Sequence, residues 1–244
     1  MRWVEQQRVP LLQDGEVHVW SASLEGSPAE VALHYQVLTA EERDRADRYR
    51  READRVHFIQ GRWLLRHLLS QYISQPAAEL RLLAGPHGKP ELDPAMGQIS
   101  FNLSHSHGMG LFAFARGRQL GIDLEWIRPE GVTEDLIRTV FSPAEQQVLV
   151  ALPPPERLQT FYRGWTRKEA YLKGRGDGLV FPLQRVAVSL HPTEPPRLLA
   201  VEGEMSETVR WTLADLPPIP GFAAALATEG EAPTKRYLLN PCHP

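Results

Sequence analysis

The sequence ISFNLSHSHGMGLFAFARGRQLGIDLEW, residues 99–126, contains most of the pattern that decides the fold. Two apolar segments, 99–103 and 110–115, flank a glycine-containing turn at 104–108, which predicts a β-hairpin. A second turn follows at 116–119, and residues 120–126 form a further predicted strand. This second turn is the weakest point of the chain, and it divides the sequence into an N-terminal half, 1–118, and a C-terminal half, 119–244.

Each half also carries a long predicted helix. In the first, a strand at 17–24 precedes a capping-box pattern, Thr39 with Glu42, and an apolar stripe at helical spacing that continues to Ile73. In the second, residues 156–173 form a helix that is followed by several glycines and then by short strands. Helices and strands alternate irregularly, which predicts an α+β fold with antiparallel sheets rather than a doubly wound parallel sheet.

The composition is that of an ordinary globular domain. The 244 residues are 42% hydrophobic and carry a net charge of −3, which excludes a disordered chain and a generally basic nucleic-acid binder. No apolar run approaches 18 residues, so no membrane span is expected, and charges interrupt residues 1–20, so no signal-peptide core is expected. The single cysteine, Cys242, excludes an internal disulfide. We therefore expect a cytoplasmic protein.

Two carboxylates on the third strand are the first candidates for chemistry. Asp123 and Glu125 point to the same face of the strand, about 6.5–7 Å apart, while Ile122 and Leu124 point to the core. Like charges at this spacing repel each other unless a positive group lies between them. A hard divalent cation such as Mg²⁺, which prefers oxygen ligands, would satisfy them. An ordinary solvent-facing strand fits the same pattern.

The long C-terminal helix offers a second set of candidates. Trp165, Glu169 and Lys173 are four residues apart and share one helix face. They fit a surface Glu–Lys pair, or a third metal carboxylate followed by a phosphate-binding lysine. Lysine is scarce in this chain, with four lysines among 27 basic residues, so the position of each deserves notice.

The predicted turn at 104–108 allows several interpretations. Ser104 and His105 could bind a phosphate through backbone N–H groups and the imidazole. His105 and His107, with Asp123 and Glu125, could instead form the zinc site of a hydrolase. A Ser-His-Asp hydrolase is less well supported because the chain has no Gly-x-Ser-x-Gly motif. Ordinary turn chemistry also explains these residues.

Further basic residues are candidates for an anion site. Lys89 and Pro90 follow Gly88 in a tight loop, whose spacing differs from that of a P-loop. Residues 43–66 contain eight arginines, but six acidic residues between 41 and 54 nearly neutralise the first part. The better anion candidates lie beyond most of those acids, at Arg55, Arg62 and Arg66. A salt-bridged solvent face is the simpler interpretation of this segment.

The order of these segments resembles the motif series of the surfactin-type 4′-phosphopantetheinyl transferases. The resemblance is carried by five segments in sequence: Gly88-Lys89-Pro90, residues 101–106 (FNLSHS), residues 121–125 (GIDLE), residues 141–145 (FSPAE) and residues 165–173 (WTRKEAYLK). The helical stretch that contains residues 58–62 (FIQGR) is also similar to the arginine-bearing helix of that family. The first twenty residues and the C-terminal strands are not diagnostic of this family.

The resemblance implies a fold and a reaction. It implies a pseudo-dimer of two similar α+β halves, each a small antiparallel sheet packed with a long helix, with the active site in the cleft between them. The donor would be coenzyme A, the metal Mg²⁺, and the acceptor a serine hydroxyl of an acyl- or peptidyl-carrier protein. The by-product would be adenosine 3′,5′-bisphosphate. The two halves would supply what a dimer otherwise would, so we expect a monomer.

The resemblance also implies residue roles. Asp123, Glu125 and Glu169 match the metal carboxylates, and His105 and Lys173 match pyrophosphate contacts, with Ser104 beside them. Lys89, next to Pro90, matches a contact near the 3′-phosphate, and Arg62 and Arg55 match more weakly as coenzyme A contacts. Glu145 matches an auxiliary metal ligand or base, and the serine proton would be taken either by Glu145 or by Glu169.

Two questions stay open from the sequence. Arg167 and Arg175 flank the long helix and fit either a carrier-protein contact or a solvated surface. A homologue that binds carrier proteins or coenzyme A without turnover is an alternative to the enzyme, although the complete set of carboxylates argues against it.

Overall fold

A computed structural model of the chain describes residues 2–6, 8–85, 88–176 and 181–239. Its seven α-helices are α1 (Pro28–Val37), α2 (Ala40–Asp47), α3 (Glu52–Ile73), α4 (Glu134–Val140), α5 (Pro143–Ala151), α6 (Pro154–Arg175) and α7 (Glu207–Arg210), all within these described ranges. The strands of the same ranges are β1 (Val4–Glu5), β2 (Val17–Ser23), β3 (Leu82–Ala84), β4 (Pro90–Leu92), β5 (Ile99–Ser106), β6 (Met109–Arg116), β7 (Leu120–Trp126), β8 (Val186–Val188), β9 (Leu198–Val201), β10 (Trp211–Asp215), β11 (Phe222–Glu229) and β12 (Thr234–Leu238). Outside the described residues lie Cys242, Gly178 and residues 86–87 of the glycine- and proline-rich loop.

Two sheets form the centre of the molecule. The first has the strand order β1-β12-β2-β6-β5, and the second has the order β10-β11-β7. Pairing is antiparallel throughout the second sheet and along β2, β6 and β5, as the sequence predicted, whereas β12 runs parallel to both β1 and β2. β5 and β7 are therefore the edge strands of their respective sheets, and they lie side by side.

The cores show how the layers stack. One face of the first sheet packs against α3 through residues such as Phe112, Phe114 and Leu68. Its other face packs against the second sheet, with Val19 and Ala113 among the residues that meet Ile122. The far face of the second sheet is covered by α6 and its neighbours. Each half is thus a sheet packed on a helix of 22 residues, which confirms the predicted α+β pseudo-dimer.

Helix α6 lies unusually close to β7 because two glycines meet at the contact. A Cβ atom on Gly121 would come within 2.0 Å of the Ala170 carbonyl oxygen and 2.2 Å of the Gly174 nitrogen. A larger residue at position 121 would push the helix away. Since β7 carries Asp123 and α6 carries Glu169, this backbone contact is what brings the two carboxylates into one region.

The hairpin formed by β5 and β6 differs from its prediction. The sequence analysis placed residues 104–108 in a turn, but β5 continues through Ser106 and the turn consists of His107 and Gly108 alone. Both turn residues have positive φ angles, 47° and 73°. The predicted strand was limited to apolar residues and therefore ended too early. Ser104 and Ser106 belong to β5, and their hydroxyls contact the neighbouring strand β7. The turn predicted at 104–108 is therefore wrong in its bounds, and phosphate binding by Ser104 and His105 stays a prediction.

Other helices and strands also differ from the sequence predictions. Helix α1, capped by Ser27 through a complete capping box, was not predicted. The helical stretch predicted from Thr39 to Ile73 is two helices, α2 and α3, separated by residues 48–51. Strand β12 comes from the C-terminal half but pairs within the first sheet, so the division at 118/119 does not hold for this strand and stays a prediction for the rest of the chain. No helix in the described ranges is both long and apolar enough to cross a membrane.

His18 provides a test of the first core. It is fully buried on β2, its Nδ1 lies 2.9 Å from the Tyr72 hydroxyl, and that hydroxyl accepts a hydrogen bond from Trp20 Nε1 at 2.8 Å. Burial lowers the pKa of His18 to about 4, against the opposing effect of Glu16. Unfolding therefore takes up a proton between pH 6.5 and pH 4, so stability must fall as the pH drops through this window.

We predict that His18 accounts for about 3 kcal/mol of acid destabilisation between pH 6.5 and pH 4, since each pKa unit corresponds to about 1.4 kcal/mol. Urea unfolding of wild-type and His18→Asn proteins at several pH values measures this. The variant should have the flatter pH dependence. His191→Asn, at an exposed histidine, serves as the control and should follow the wild type. Parallel pH profiles for wild type and His18→Asn would contradict the assignment.

Candidate active site

A cavity of about 320 Å³ lies where α3, β5 and the end of α6 approach one another. Its wall is rich in basic side chains, namely Arg45, His57, Arg62, Lys89, His105 and Lys173. Pro90, Asn102 and Phe58 also line it. A protein with a net charge of −3 has thus concentrated cations in one cavity, which suits an anionic ligand.

Two arginines in this cavity flank one aromatic ring. The guanidinium carbons of Arg45 and Arg62 lie 5.1 and 5.7 Å from the centre of the Phe58 ring. Cation–π contact of this kind holds a guanidinium in place. Arg62 Nε also forms an ion pair with Glu42 Oε1 at 3.5 Å. Sequence reasoning missed Arg45, because the acidic residues around it suggested a neutralised surface. The helical spacing of Arg45 and Tyr49, which also lines the cavity, was the available signal.

The other predicted arginines have different positions. Arg55 forms ion pairs with Asp47 and Glu52, each at 3.4 Å, and is not among the residues that line the cavity. Arg66 is buried; its Nε donates to Glu42 at 2.8 Å, and its Nη1 donates to the carbonyl oxygens of two residues after α3. Arg66 therefore fastens α3 to its surroundings.

Lys89 links the two halves of the molecule. Its Nζ donates to the carbonyl oxygens of Leu120 and Gly174, at 3.4 and 3.3 Å. Burial lowers the pKa of Lys89, and nearby Glu91 opposes this. The lysine lines the cavity, as expected for a ligand contact, but in this conformation its ammonium bonds to backbone oxygen atoms of β7 and α6.

Lys173 connects the cavity to the carboxylates. Its Nζ donates to Asp123 Oδ1 at 2.6 Å and to Ser104 Oγ at 3.0 Å. Ser104 Oγ in turn donates to the same Asp123 oxygen at 2.9 Å. Ser104 is thus engaged with the carboxylate and the lysine, and it does not line the cavity as a phosphate contact would.

Asp123, Glu125 and Glu169 influence one another electrostatically. Burial, followed by the neighbouring charges of Asp123 and Glu169, raises the pKa of Glu125 to about 7, although Lys173 opposes this. Burial and then Asp123 likewise raise the pKa of Glu169 to about 7. These influences place the three carboxylates in one region of the fold, while the metal site expected of them stays a prediction.

Two of the carboxylate oxygens lack a donor. Asp123 Oδ2 and Glu169 Oε1 are buried, and no group in the described part of the chain hydrogen-bonds to either of them. A buried charged oxygen without a partner is costly. Oxygens of this kind, together with the mutual repulsion of the carboxylates, fit a hard divalent cation.

The carboxylates do not form a complete cage. Within the described ranges, no three His, Cys, Asp or Glu side chains are spaced to hold a metal ion by themselves. Mg²⁺ is commonly bound by one or two carboxylates, with water and substrate phosphates completing the shell, so the arrangement fits Mg²⁺ better than Zn²⁺. The zinc-hydrolase alternative has no support here, since His107 stacks on Trp126 with ring centres 4.6 Å apart.

Glu145 lies outside this region. Its Oε2 accepts hydrogen bonds from the Ser142 nitrogen, at 2.8 Å, and from Lys168 Nζ, at 2.6 Å, while its Oε1 accepts from the Val188 nitrogen at 2.9 Å. Lys168 is fully buried and also donates to the Val140 carbonyl oxygen. The structure therefore does not bring Glu145 to the other carboxylates. Instead, Glu145 is the third residue of a complete capping box with Ser142 at the start of α5.

Arg167 and Arg175 on α6, whose roles the sequence left open, both form hydrogen bonds within the chain. Arg167 is 2% exposed and donates from Nε and Nη2 to Asp215. It also donates to the Ser189 carbonyl oxygen. Neither a carrier contact nor a solvated surface was therefore correct for Arg167. Arg175 donates to the Tyr171 hydroxyl and to Glu204, each at 2.9 Å.

Comparison with known families matches both halves of the chain. The 4′-phosphopantetheinyl transferase superfamily matches residues 119–227, and the family described as 4′-phosphopantetheinyl transferase, N-terminal, matches residues 20–115. The two matches meet near the turn that separates β6 from β7.

Several named proteins are similar over much of their length. The 4′-phosphopantetheinyl transferase HetI of Nostoc is 35% identical over 222 residues, which cover 90% of both chains. Sfp of Bacillus subtilis is 29% identical over 63% of this chain and 67% of its own. Among solved structures, a holo-(acyl-carrier-protein) synthase from Bacillus anthracis in complex with CoA matches with a TM-score of 0.38 and 23% identity, over 46% of this chain and 94% of that chain.

The chain belongs to the 4′-phosphopantetheinyl transferase superfamily. It is an enzyme of this type, and its reaction is the transfer of 4′-phosphopantetheine from coenzyme A to a carrier protein. The family expectation drawn from the motif order is confirmed, and the hydrolase and non-catalytic alternatives are not supported.

We predict that Glu145→Ala destabilises the protein by about 3–5 kcal/mol, because it leaves Lys168 buried and unpaired. The double variant Glu145→Leu/Lys168→Met should be less destabilised, since it removes both charges. Chemical unfolding measures these changes, with Glu194→Ala at an exposed turn as a control near zero. A Glu145→Gln protein of wild-type stability that has lost more than 100-fold in transfer rate would show instead that Glu145 takes part in the chemistry.

Proposed function

We propose that Asp123, Glu125 and Glu169 hold a Mg²⁺ ion on which the phosphopantetheine transfer depends. The observation that carries this proposal is the pair of buried oxygens without donors, Asp123 Oδ2 and Glu169 Oε1, beside a cavity lined with cations. The raised pKa values of Glu125 and Glu169 add support, because burial and the neighbouring Asp123 raise both values although Lys173 opposes this.

The basic cavity is the proposed coenzyme A site. His105 and Lys173 lie at its carboxylate end and would bind the pyrophosphate. Arg45 and Arg62, fixed against Phe58, would bind the remaining phosphate of the nucleotide together with Lys89. Arg55, which forms ion pairs on the surface, is not part of this proposal.

In the proposed reaction, the serine oxygen of the acceptor attacks the phosphorus that carries the pantetheine. A new P–O bond forms, the pyrophosphate P–O bond breaks, and adenosine 3′,5′-bisphosphate leaves with the bonding electron pair. Glu169 takes the serine proton, directly or through a water molecule.

Charge stabilisation is the main contribution of the site. When bound, a divalent cation supplies Lewis-acid polarisation of the phosphates and neutralises the charge that develops on them. Lys173 reaches the same region from α6 and would stabilise the departing phosphate. Ser104 holds Lys173 and Asp123 in a fixed relation, since its Oγ contacts both.

The acceptor class is part of the proposal. An acyl- or peptidyl-carrier protein would present its serine at the carboxylates while coenzyme A occupies the basic cavity. Both halves of one chain contribute to the site, since Ser104 and His105 lie on β5 and Asp123 lies on β7. We therefore propose that the enzyme works as a monomer.

The activity is tested by incubating an apo-carrier protein with the enzyme, coenzyme A and Mg²⁺, and by mass spectrometry of the carrier. We predict a phosphopantetheine adduct on its serine that is lost with EDTA and restored by Mg²⁺. Glu169→Gln should lower the rate at least 100-fold, or about 3 kcal/mol, while Glu156→Gln on the same helix should be near wild type. No adduct with carriers of several pathways would refute the proposed acceptor class, and a normal rate for Glu169→Gln would refute the assigned role.

The nucleotide site is tested separately with arginine variants. Arg45→Met and Arg62→Met should each raise the KM for coenzyme A about tenfold or more, because each removes a charged contact to a phosphate. Arg55→Met is the matched control, at an arginine on the same part of the fold, and should leave this KM unchanged. Steady-state kinetics at saturating carrier protein give the comparison. Equal effects of all three substitutions would argue against a specific pair at Phe58.

A further inference from the structure

The contact between β5 and β7 joins the two halves by an unusual set of hydrogen bonds. The two strands are edges of different sheets, and side chains of β5 accept hydrogen bonds from the backbone of β7. Three such bonds occur at every second residue: Ile122 N to Asn102 Oδ1 at 2.9 Å, Leu124 N to Ser104 Oγ at 3.3 Å, and Trp126 N to Ser106 Oγ at 3.1 Å. We call these three side chains and the three amides the seam.

The two serines of the seam have a second role. Ser104 Oγ accepts from the Leu124 amide and donates to Asp123 Oδ1, at 2.9 Å. Ser106 Oγ accepts from the Trp126 amide and lies 3.5 Å from Glu125 Oε2, to which it donates. Each hydroxyl therefore joins one amide of β7 to the carboxylate of the preceding residue. The same unit occurs twice, once for each metal carboxylate of the strand.

The opposite edge of β7 forms ordinary antiparallel backbone hydrogen bonds with β11. β7 pairs antiparallel with β11 from Leu120 to Trp126, and the Ile127 amide donates to the Gly221 carbonyl oxygen at 2.9 Å. Successive amides of a strand point to opposite sides, so the odd-numbered amides serve β11 and the even-numbered amides serve the seam. The strand that carries Asp123 and Glu125 is therefore fixed from both edges.

We propose that Ser106 is a positioning residue, which directs Glu125 toward the site from the other half of the molecule. This inference rests on the proposed function, because it assigns Glu125 to the metal. Asp123 has Lys173 and Ser104 to orient it, whereas the hydrogen bond of Glu125 is to Ser106. Loss of this hydroxyl leaves the Trp126 amide without its acceptor and Glu125 without the donor that aims it.

The matched variants are Ser106→Thr and Ser106→Val. They have the same shape and the same β-branched preference for strands, and only threonine keeps the hydroxyl. Any difference between them reports the hydrogen bonds and not packing. Ser100→Val, on the same strand but before the first residue of the seam, controls for the introduction of valine into β5.

Two measurements that need no turnover decide the question. Amide hydrogen exchange by NMR should show at least tenfold faster exchange of the Trp126 amide in Ser106→Val than in wild type, with Ser106→Thr close to wild type. Titration with Mn²⁺, followed by EPR in the presence of coenzyme A, should show at least tenfold weaker binding in Ser106→Val. The transfer reaction should then need correspondingly more Mg²⁺ for half-maximal rate, while its rate at saturating Mg²⁺ changes much less.

The outcomes separate this inference from the proposed function. Equal Mn²⁺ affinities of Ser106→Val and Ser106→Thr would overturn the positioning role, even if the wild type transfers phosphopantetheine. Equal loss of affinity in both variants would also overturn it, because the effect would then come from packing. A wild-type chain that binds Mn²⁺ but modifies no carrier would refute the proposed acceptor and leave the role of Ser106 to be decided by the titration. A wild-type chain that binds no Mn²⁺ would overturn both.

Discussion

The hydrogen bonds between β5 side chains and the β7 backbone are the constraint on which the site depends. They join the edges of two sheets that a normal backbone ladder would have fused into one. Because Asn102, Ser104 and Ser106 reach across with side chains, the strands remain far enough apart for Asp123 to face α6 while His105 faces the basic cavity. A direct backbone pairing would bring the strands into one continuous sheet and close this opening.

Electrostatics divides the site into two adjoining regions. On one side, arginine, lysine and histidine side chains line the cavity, and on the other side three carboxylates repel one another. Lys173 stands between them, since it lines the cavity and also bonds to Asp123. A phosphate ester and a divalent cation together complement both regions, which neither ligand alone would do. The family reaction, with coenzyme A as donor, supplies the phosphates.

Short-range periodicity explains what the sequence could predict. The period of two on β7 placed Asp123 and Glu125 on one face, and the spacing of four on α6 placed Glu169 and Lys173 together. The capping box of Thr39 and Glu42 at the start of α2 was also predictable. Partners distant in sequence were not, because no local pattern encodes them. Arg167 is buried through Asp215, 48 residues away, and the serines of β5 resembled a turn because their acceptor role needs β7 beside them.

Strand β12 has a consequence for how the chain folds. It lies between β1 and β2 in the first sheet, although residues 234–238 are far from residues 17–23 in the sequence. Contacts of such long sequence separation form slowly, so one edge of β2 stays unpaired during much of folding. An unpaired strand edge invites association with other chains. Chaperones that shield such edges would therefore act on this side of the molecule while it folds.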